Sequence, residues 1–115
     1  MWAKFDDQTP QDPEIDALSD GAFRLWFNAI CYAQAQLTDG FVPASIARRL
    51  TPNYRPTHLA ELMRRADDKP PIFEPVSDGY LIRNFAKWNK TRDHWEAKRS
   101  ADAARIAEYR ARKGA

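Results

Sequence analysis

Residues 41–66, FVPASIARRLTPNYRPTHLAELMRRA, decide the fold that this 115-residue chain is predicted to adopt. The stretch predicts two short helices. The first covers residues 44–50, and the second begins at Pro56 or Thr57 and runs to Ala66. The prolines between them must interrupt the helical run, because proline lacks an amide donor and disfavours helix in the residue before it. This is the outline of a helix-turn-helix.

The second helix of the pair has one apolar and one polar face. Its apolar residues recur at i, i+3, i+4 and i+7, the spacing of a stripe that packs on a core. The stripe consists of Leu59, Leu62, Met63 and Ala66. At about 100° per residue, the opposite face carries Thr57, Glu61 and Arg64, flanked by His58, Ala60 and Arg65. This polar face would meet a partner.

Clustered positive charge in the same stretch points to nucleic acid as that partner. Residues 44–66 hold five arginines and one acidic residue. In a helix-turn-helix the second helix enters the major groove of double-stranded DNA. Arg64 or Arg65 would pair with guanine, and Thr57 would take a phosphate or a base edge. Contacts to phosphate, which carry no sequence information, would come from Arg48, Arg49 and Arg55.

A long apolar helix over residues 20–37 is predicted to be the buried spine of the domain. Ser19 is placed to cap its start, and Gly40 is suited to a left-handed cap after its end. Its apolar residues recur at three- and four-residue steps; they include Phe23, Trp26, Phe27, Ile30, Ala33 and Leu37. A ligand-binding aromatic box is the alternative, but this spacing favours a core. Cys31, the one cysteine, is assigned to the core as well.

Two strand-prone runs around an Asp-Gly turn predict a β-hairpin over residues 72–85. Pro75 implies that its first strand lies at a sheet edge or is bulged. Upstream, residues 2–5 alternate as a short strand would, and Asp12 is placed to cap a short helix. The predicted fold is α+β, mostly α. It is a winged helix-turn-helix, with a three-helix core, a β-hairpin wing and a C-terminal helical extension.

The composition changes after residue 88, which divides the chain into a winged-helix domain (1–88) and a basic, alanine-rich helical tail (89–115). Trp88 is expected to return to the core, and Thr91 to cap the tail helix. Residues 87–115 hold nine Lys/Arg against four Asp/Glu, whereas residues 1–86 hold nine against twelve. A tail lying along DNA adds salt-dependent affinity, because each neutralised phosphate releases counterions. Its candidate contacts are Lys98, Arg99 and Arg105.

Two other interpretations of the tail stay open. It is either a solvated helix that frays toward Gly114, or the surface of a weak homodimer. The second interpretation rests on the heptad-like spacing of Trp95, Ile106 and Tyr109, although Arg99 and Asp102 interrupt that seam.

Other features weigh against a simple DNA-binding interpretation. The hairpin turn at residues 77–79 is short and acidic, and Arg83 is the one basic residue near it, so the wing is poorly equipped to contact a groove. Glu61 would repel phosphate unless it accepted a hydrogen bond from a cytosine amine. The alternative is a protein-interaction module that binds a host replication or transcription component.

The sequence gives little support to catalysis, a cofactor or a metal site. His58 and His94 have no cysteine or histidine nearby at zinc-ligand spacing, and the four glycines stand singly. An apolar run long enough to cross a bilayer and a secretion signal are both lacking. We therefore expect a cytoplasmic protein that is not an enzyme and has no membrane partner.

The order of motifs resembles the N-terminal winged-helix domain of phage replication initiators and replisome organisers, and related small helix-turn-helix proteins of actinobacterial phages. The motifs are LTDGFVP, IARRL, LAELMRRA, DGYLIRNF and WNKTRDHWEAKR. The resemblance implies DNA binding in replication initiation or transcriptional regulation, and a host or phage replication protein as partner. By position it makes Thr57, His58, Glu61, Arg64 and Arg65 the recognition face, and residues 77–80 the wing.

Overall fold

The computed structural model describes residues 2–65, 68–89 and 92–114, without the side chain of Trp88. Three predictions lie outside the described residues: Ala66 in the apolar stripe, Trp88 as a core side chain, and Thr91 as a helix cap. Within the described residues the chain is α+β and mostly helical, with a small antiparallel sheet. This agrees with the predicted fold class at the level of secondary structure.

Helix α2, Asp20–Gln36, is the spine on which the other elements pack. Ser19 caps it as predicted, accepting a hydrogen bond from the amide of Ala22 at 3.3 Å. The left-handed position at its end is Leu37 (φ 53°), so the prediction that Gly40 caps the helix is wrong. Gly40, with φ 93°, instead turns the chain into the first strand, where a Cβ would lie 2.9 Å from that of Phe85.

The buried side of α2 is narrower than its apolar composition suggests. Its core residues are Ala22, Leu25, Trp26, Ala29, Ile30 and Ala33. Phe23 and Phe27 lie at the rim, 38% and 42% exposed, because two more aromatic rings would widen the buried arc beyond what the small sheet and short helices cover. Cys31 is half-buried and is a free thiol. Burial raises the pKa of this thiol.

Three short antiparallel strands form the sheet in the order β1-β3-β2. Strand β1 is Phe41–Pro43, β2 is Phe73–Val76 and β3 is Gly79–Ile82. The predicted hairpin is therefore confirmed as β2 and β3. Pro75 lies in β2, which is an edge strand, as its missing amide donor requires. The inner face of the sheet packs on α2 and includes the fully buried Phe73 and Val42.

The N-terminal segment is held by side chains instead of by the predicted strand. Lys4 donates its backbone amide to Asn89 Oδ1 at 2.7 Å, and its carbonyl accepts from Asn89 Nδ2 at 3.2 Å. Phe5 stacks on Phe27 with ring centroids 4.7 Å apart. In this segment the backbone amide and carbonyl of Lys4 thus both find their hydrogen-bond partner in the buried side-chain amide of Asn89. The helix predicted next is present as α1, Pro13–Asp16, and Asp12 caps it.

The two helices of the predicted helix-turn-helix are present but shorter than expected. Helix α3 is Ala44–Ala47 and α4 is Pro56–Leu62. Leu59 and Leu62 are buried, and Met63 packs against the core from the C-cap position. The apolar stripe therefore continues past the end of the helix, and Arg64 and Arg65 do not lie on α4 as predicted. Met63 is the C-cap residue of α4, so the helix ends before Arg64.

Helix α5, Phe85–Trp88, leads to the long helix α6, Arg92–Gly114. Asp39 Oδ1 accepts a hydrogen bond from the backbone amide of Arg92 at 2.6 Å and so fixes the start of α6. No described residue of α6 is fully buried. The helix continues to Gly114. At 18.0 Å the radius of gyration exceeds the roughly 13 Å of a compact chain this long, which fits a projecting helix.

Candidate nucleic-acid interface

The exposed face of α4 consists of small residues with an arginine at each end. Thr57 and Ala60 are exposed at i and i+3 of α4, while Leu59 and Leu62 are buried on the opposite side, and Arg64 is exposed just after the helix ends. Arg55, immediately before the helix, is exposed as well. A seven-residue helix is about 10 Å long, so this surface is the size of a short groove contact, with positive charge at both edges.

Glu61 does not belong to this face, so its predicted placement is wrong. Its Oε1 accepts from the backbone amide of Ser19 at 2.9 Å, and its Oε2 accepts from the Ser19 hydroxyl at 2.6 Å. These two hydrogen bonds lower the pKa of the Glu61 carboxyl. The carboxylate binds the start of α2 because two donors converge there. The exposed face of α4 is thereby left without an acidic side chain.

His58 also faces the spine helix, so it is not available as a surface contact. It is half-buried, and its imidazole lies so close to Gly21 that a Cβ at that position would overlap the ring. Its Nδ1 atom is buried and has no hydrogen-bond partner among the described residues. The missing side chain at Gly21 lets α4 approach α2. His58 is therefore a packing residue and not part of a recognition face.

Three arginines lie around the connection between α3 and α4. Arg48, Arg49 and Arg55 are exposed, and within the part of the chain that the structure describes none of them forms an ion pair with an acid. Asn28 of α2 donates its Nδ2 to the carbonyl of Leu50 at 2.7 Å and fixes this connection. The arrangement provides positive charge that no neighbouring carboxylate neutralises, beside the exposed end of α4 at Thr57.

Arg64 and Arg65 have more acidic surroundings than the sequence suggested. Arg65 pairs with Glu74 of β2 at 3.0 Å, although both side chains are largely in solvent. Both arginines border a shallow pocket of about 300 Å³ that Glu14 and Glu61 also line. Arg64 is exposed and has no ion pair among the described residues. Of the two, Arg64 is the one able to approach a base edge without first losing a salt bridge.

Arg83, predicted to contact DNA beside the wing, is part of the internal structure instead. Its side chain is only 17% exposed and pairs with Glu14 Oε2 at 2.9 Å. It also donates to the carbonyl of Pro70 at 2.6 Å. Glu14 binds Lys69 at 3.3 Å as well. A carboxylate from α1 and a loop carbonyl therefore occupy the guanidinium that the sequence pattern treats as available to DNA.

The turn between β2 and β3 is tied to the body of the domain. The amide of Ala44, the first residue of α3, donates to the carbonyl of Asp78 at 3.0 Å. Ser77 and Asp78 are exposed, and neither provides positive charge. A turn held against α3 in this way does not reach outward into a groove.

Most of the cations of α6 have intrahelical partners. Arg92, Arg105 and Arg112 pair with Glu96, Asp102 and Glu108 respectively. Lys98 lies 5.4 Å from the centre of the Trp95 ring. Arg99 and Arg110 are exposed, and neither has an acidic partner among the described residues. Of the three tail contacts predicted, Arg99 therefore holds the least compensated charge.

The sequence pattern misjudges two exposed residues. It puts Ala60 only at the flank of the face, but Ala60 is exposed on α4 and the Glu61 carboxylate turns away to Ser19. It leaves out Arg24, which is exposed on the otherwise apolar helix α2. A helical wheel of α2 alone puts Arg24 on the solvent side.

The described residues hold neither a group of metal ligands nor a helix that could span a membrane. Across residues 2–65, 68–89 and 92–114, no three His, Cys, Asp or Glu residues are grouped as metal ligands would be. The same residues include no helix with the length and apolar character needed to cross a bilayer. Comparison of the chain with protein-family models, with curated proteins and with solved structures gives no match.

Proposed function

We propose that this protein is a winged-helix protein that binds double-stranded DNA through α4 and the arginines around it. The order helix, strand, two helices and hairpin, with β1 beside β3, supports the winged-helix assignment. Thr57 and Arg64 are the candidates for base edges in the major groove. Arg48, Arg49, Arg55 and Arg99 are the candidates for phosphates, which position the protein without reading sequence.

One observation carries this proposal: the carboxylate of Glu61 is bound to Ser19 and leaves the exposed α4 face free of acid. A carboxylate at the centre of that face would repel the phosphate backbone. With it turned away, the surface between Arg55 and Arg64 offers a hydroxyl, a methyl group and two guanidinium groups. The resemblance of the motifs to phage replication initiators favours a role in DNA replication initiation or transcriptional regulation.

A salt titration of binding to random duplex DNA tests the proposal. We expect micromolar or tighter affinity at low salt that falls steeply as salt is added. The double variant Arg48→Ala/Arg49→Ala should reduce the slope of log K against log salt by up to about 1.8, since each phosphate contact contributes about 0.9. Lys69→Ala, which removes one charge away from α4 where the double variant removes two, is the control for net charge. Absence of wild-type binding at low salt would refute the proposal.

A second test addresses the base-reading residues. After a preferred site has been selected from a random duplex library, Arg64→Ala should weaken that site by about 1–3 kcal/mol and random DNA much less. An equal loss on both kinds of DNA would place Arg64 among the phosphate contacts.

A protein-binding function is the second candidate, and exposed aromatic residues favour it. Phe23 and Phe27 are 38% and 42% exposed, and Trp2 is 82% exposed. Aromatic residues are enriched in protein interfaces. The partner would be a host or phage replication or transcription component. If the folded wild-type protein fails to bind DNA at low salt, the protein-binding candidate is favoured. If DNA binding is the function, Phe27→Ser should leave DNA binding unchanged.

A further inference from the structure

We infer that the DNA-binding surface extends onto the spine helix α2 and that Arg24 contacts a phosphate there. This inference rests on the proposed function and adds an element that neither the helix-turn-helix pattern nor the tail includes. Its starting point is the place where α2 meets α4 and the connection that precedes α4.

Two contacts locate that place on α2. The ring of His58 in α4 packs on Gly21, and Asn28 Nδ2 donates to the carbonyl of Leu50 at the end of the α3 segment. Gly21 and Asn28 are seven residues apart, so they lie on nearly the same side of the helix. The segment between Leu50 and His58 is therefore attached to α2 at two points, Asn28 and Gly21, which lie two helical turns apart.

Arg24 lies in this interval, three residues from Gly21 and four from Asn28. Residues at these spacings are surface neighbours on a helix, with Cβ atoms about 5–6 Å apart. Leu25, the next residue, is fully buried, while Arg24 is exposed. Its guanidinium therefore emerges at the flank of α2, next to the connection that bears Arg55.

The charge of Arg24 is uncompensated among the described residues. Asp20, one turn before it, is at the i−4 position where a helical ion pair would form, but the two side chains are not paired. Arg24 thus joins Arg48, Arg49 and Arg55 as exposed arginines around one connection, contributed by α2, by the end of α3 and by the start of α4. Positive charge from three elements around a candidate recognition helix matches the phosphates that flank a groove.

The experiment measures binding of the full chain to random duplex DNA at several salt concentrations. Arg24→Gln should weaken binding about five- to tenfold near 0.1 M salt and reduce the salt slope by about 0.9, as expected for one lost phosphate contact. Arg24→Lys should retain most of the affinity, because a phosphate contact needs charge more than the geometry of a guanidinium. Lys69→Gln provides an equal charge change outside the surface.

The outcomes separate this inference from the proposed function. If Arg24→Gln binds like the wild type while Arg48→Ala/Arg49→Ala binds weakly, the inference is overturned and the proposed function stands. If Lys69→Gln reduces the slope as much as Arg24→Gln, net charge and not contact explains the effect, and the inference is overturned as well. If the wild type fails to bind at low salt, both fall. Thermal unfolding of each variant confirms that the exposed substitution leaves the fold intact.

Discussion

Glu61 of α4 holds Ser19 at the start of α2 through both carboxylate oxygens, at 2.9 Å to the backbone amide and 2.6 Å to the hydroxyl. Ser19 in turn caps α2 through the amide of Ala22. One side chain therefore connects α4 to the start of α2, across 42 residues of sequence, and holds its carboxylate away from the exposed face of α4.

Replacing Glu61 should destabilise the fold more than a typical surface substitution. Glu61→Ala removes two hydrogen bonds from a charged acceptor, and we expect the free energy of unfolding to fall by about 1–2 kcal/mol. Glu61→Gln should lose less, because its amide oxygen still accepts from the Ser19 amide. Chemical denaturation of the three proteins measures this, and equal stability of Glu61→Ala and wild type would contradict it.

The same pair predicts a pH dependence. Hydrogen bonds from Ser19 lower the pKa of Glu61 in the folded state, so its contribution to stability is fully present above the unfolded-state pKa, about 4.3 for glutamate. It is lost as the pH falls from there through the folded-state pKa. Wild type should therefore lose more stability than Glu61→Gln between pH 5 and pH 3, taken as approximate limits around that pKa. If wild type and Glu61→Gln lose the same stability over this range, other carboxylates account for the acid sensitivity.

The contrast between Ser19 and Glu61 shows what the sequence could predict. The Ser19 cap, the Asp12 cap and the hairpin turn are local, since each depends on residues within a few positions. The wheel of α4 gave the direction of Glu61 relative to its own helix. It could not show that the start of a helix 42 residues upstream would present two donors on that side.

Helix ends and charge assignments depend on features that the local pattern does not contain. Met63 packs on the core as the apolar stripe requires, but packing does not demand helical backbone, so α4 ends at Leu62 while the stripe continues. Arginine is usually a solvated residue, which made Arg83 look available. Its partner Glu14 lies 69 residues away, and nothing in the local sequence indicates the pairing.

Arg83→Ala should destabilise the protein without changing DNA binding. It breaks a largely buried pair with Glu14 and a hydrogen bond to the Pro70 carbonyl, and we expect a loss of about 2 kcal/mol. The salt slope for random duplex DNA should stay at the wild-type value, because this guanidinium faces the protein. A reduced slope in a fully folded sample would return Arg83 to the DNA-binding surface.

Arg65→Ala is the comparison for Arg83→Ala, and we expect it to reduce the free energy of unfolding much less. Its pair with Glu74 is exposed, with side-chain exposures of 68% and 38%, and such pairs contribute about 1 kcal/mol or less. Added salt should reduce even that difference. A loss as large as that of Arg83→Ala would contradict the weak contribution expected of the exposed Arg65–Glu74 pair.

Asn89 should be essential for holding the N-terminal segment. It is 4% exposed, and its amide group satisfies both backbone groups of Lys4. Asn89→Asp keeps the acceptor for the Lys4 amide but replaces the donor facing the Lys4 carbonyl with an acceptor, so we expect a loss of about 1–3 kcal/mol in the free energy of unfolding. Asn89→Gln keeps both amide groups on a longer side chain and is the control for side-chain length. Unchanged stability of Asn89→Asp would show that the bond to the Lys4 carbonyl does not hold the segment.

Removal of α6 should weaken binding to all DNA sequences alike and leave the domain folded. No described residue of α6 is fully buried, so the chain ending at Asn89 should keep its far-UV spectrum apart from the lost helix. Arg99 and Arg110 have no acidic partner among the described residues, so the salt slope should fall by about two, at roughly 0.9 per phosphate. Arg99→Ala/Arg110→Ala in the full chain should reproduce most of this loss. A loss confined to preferred sites would instead show that α6 reads sequence.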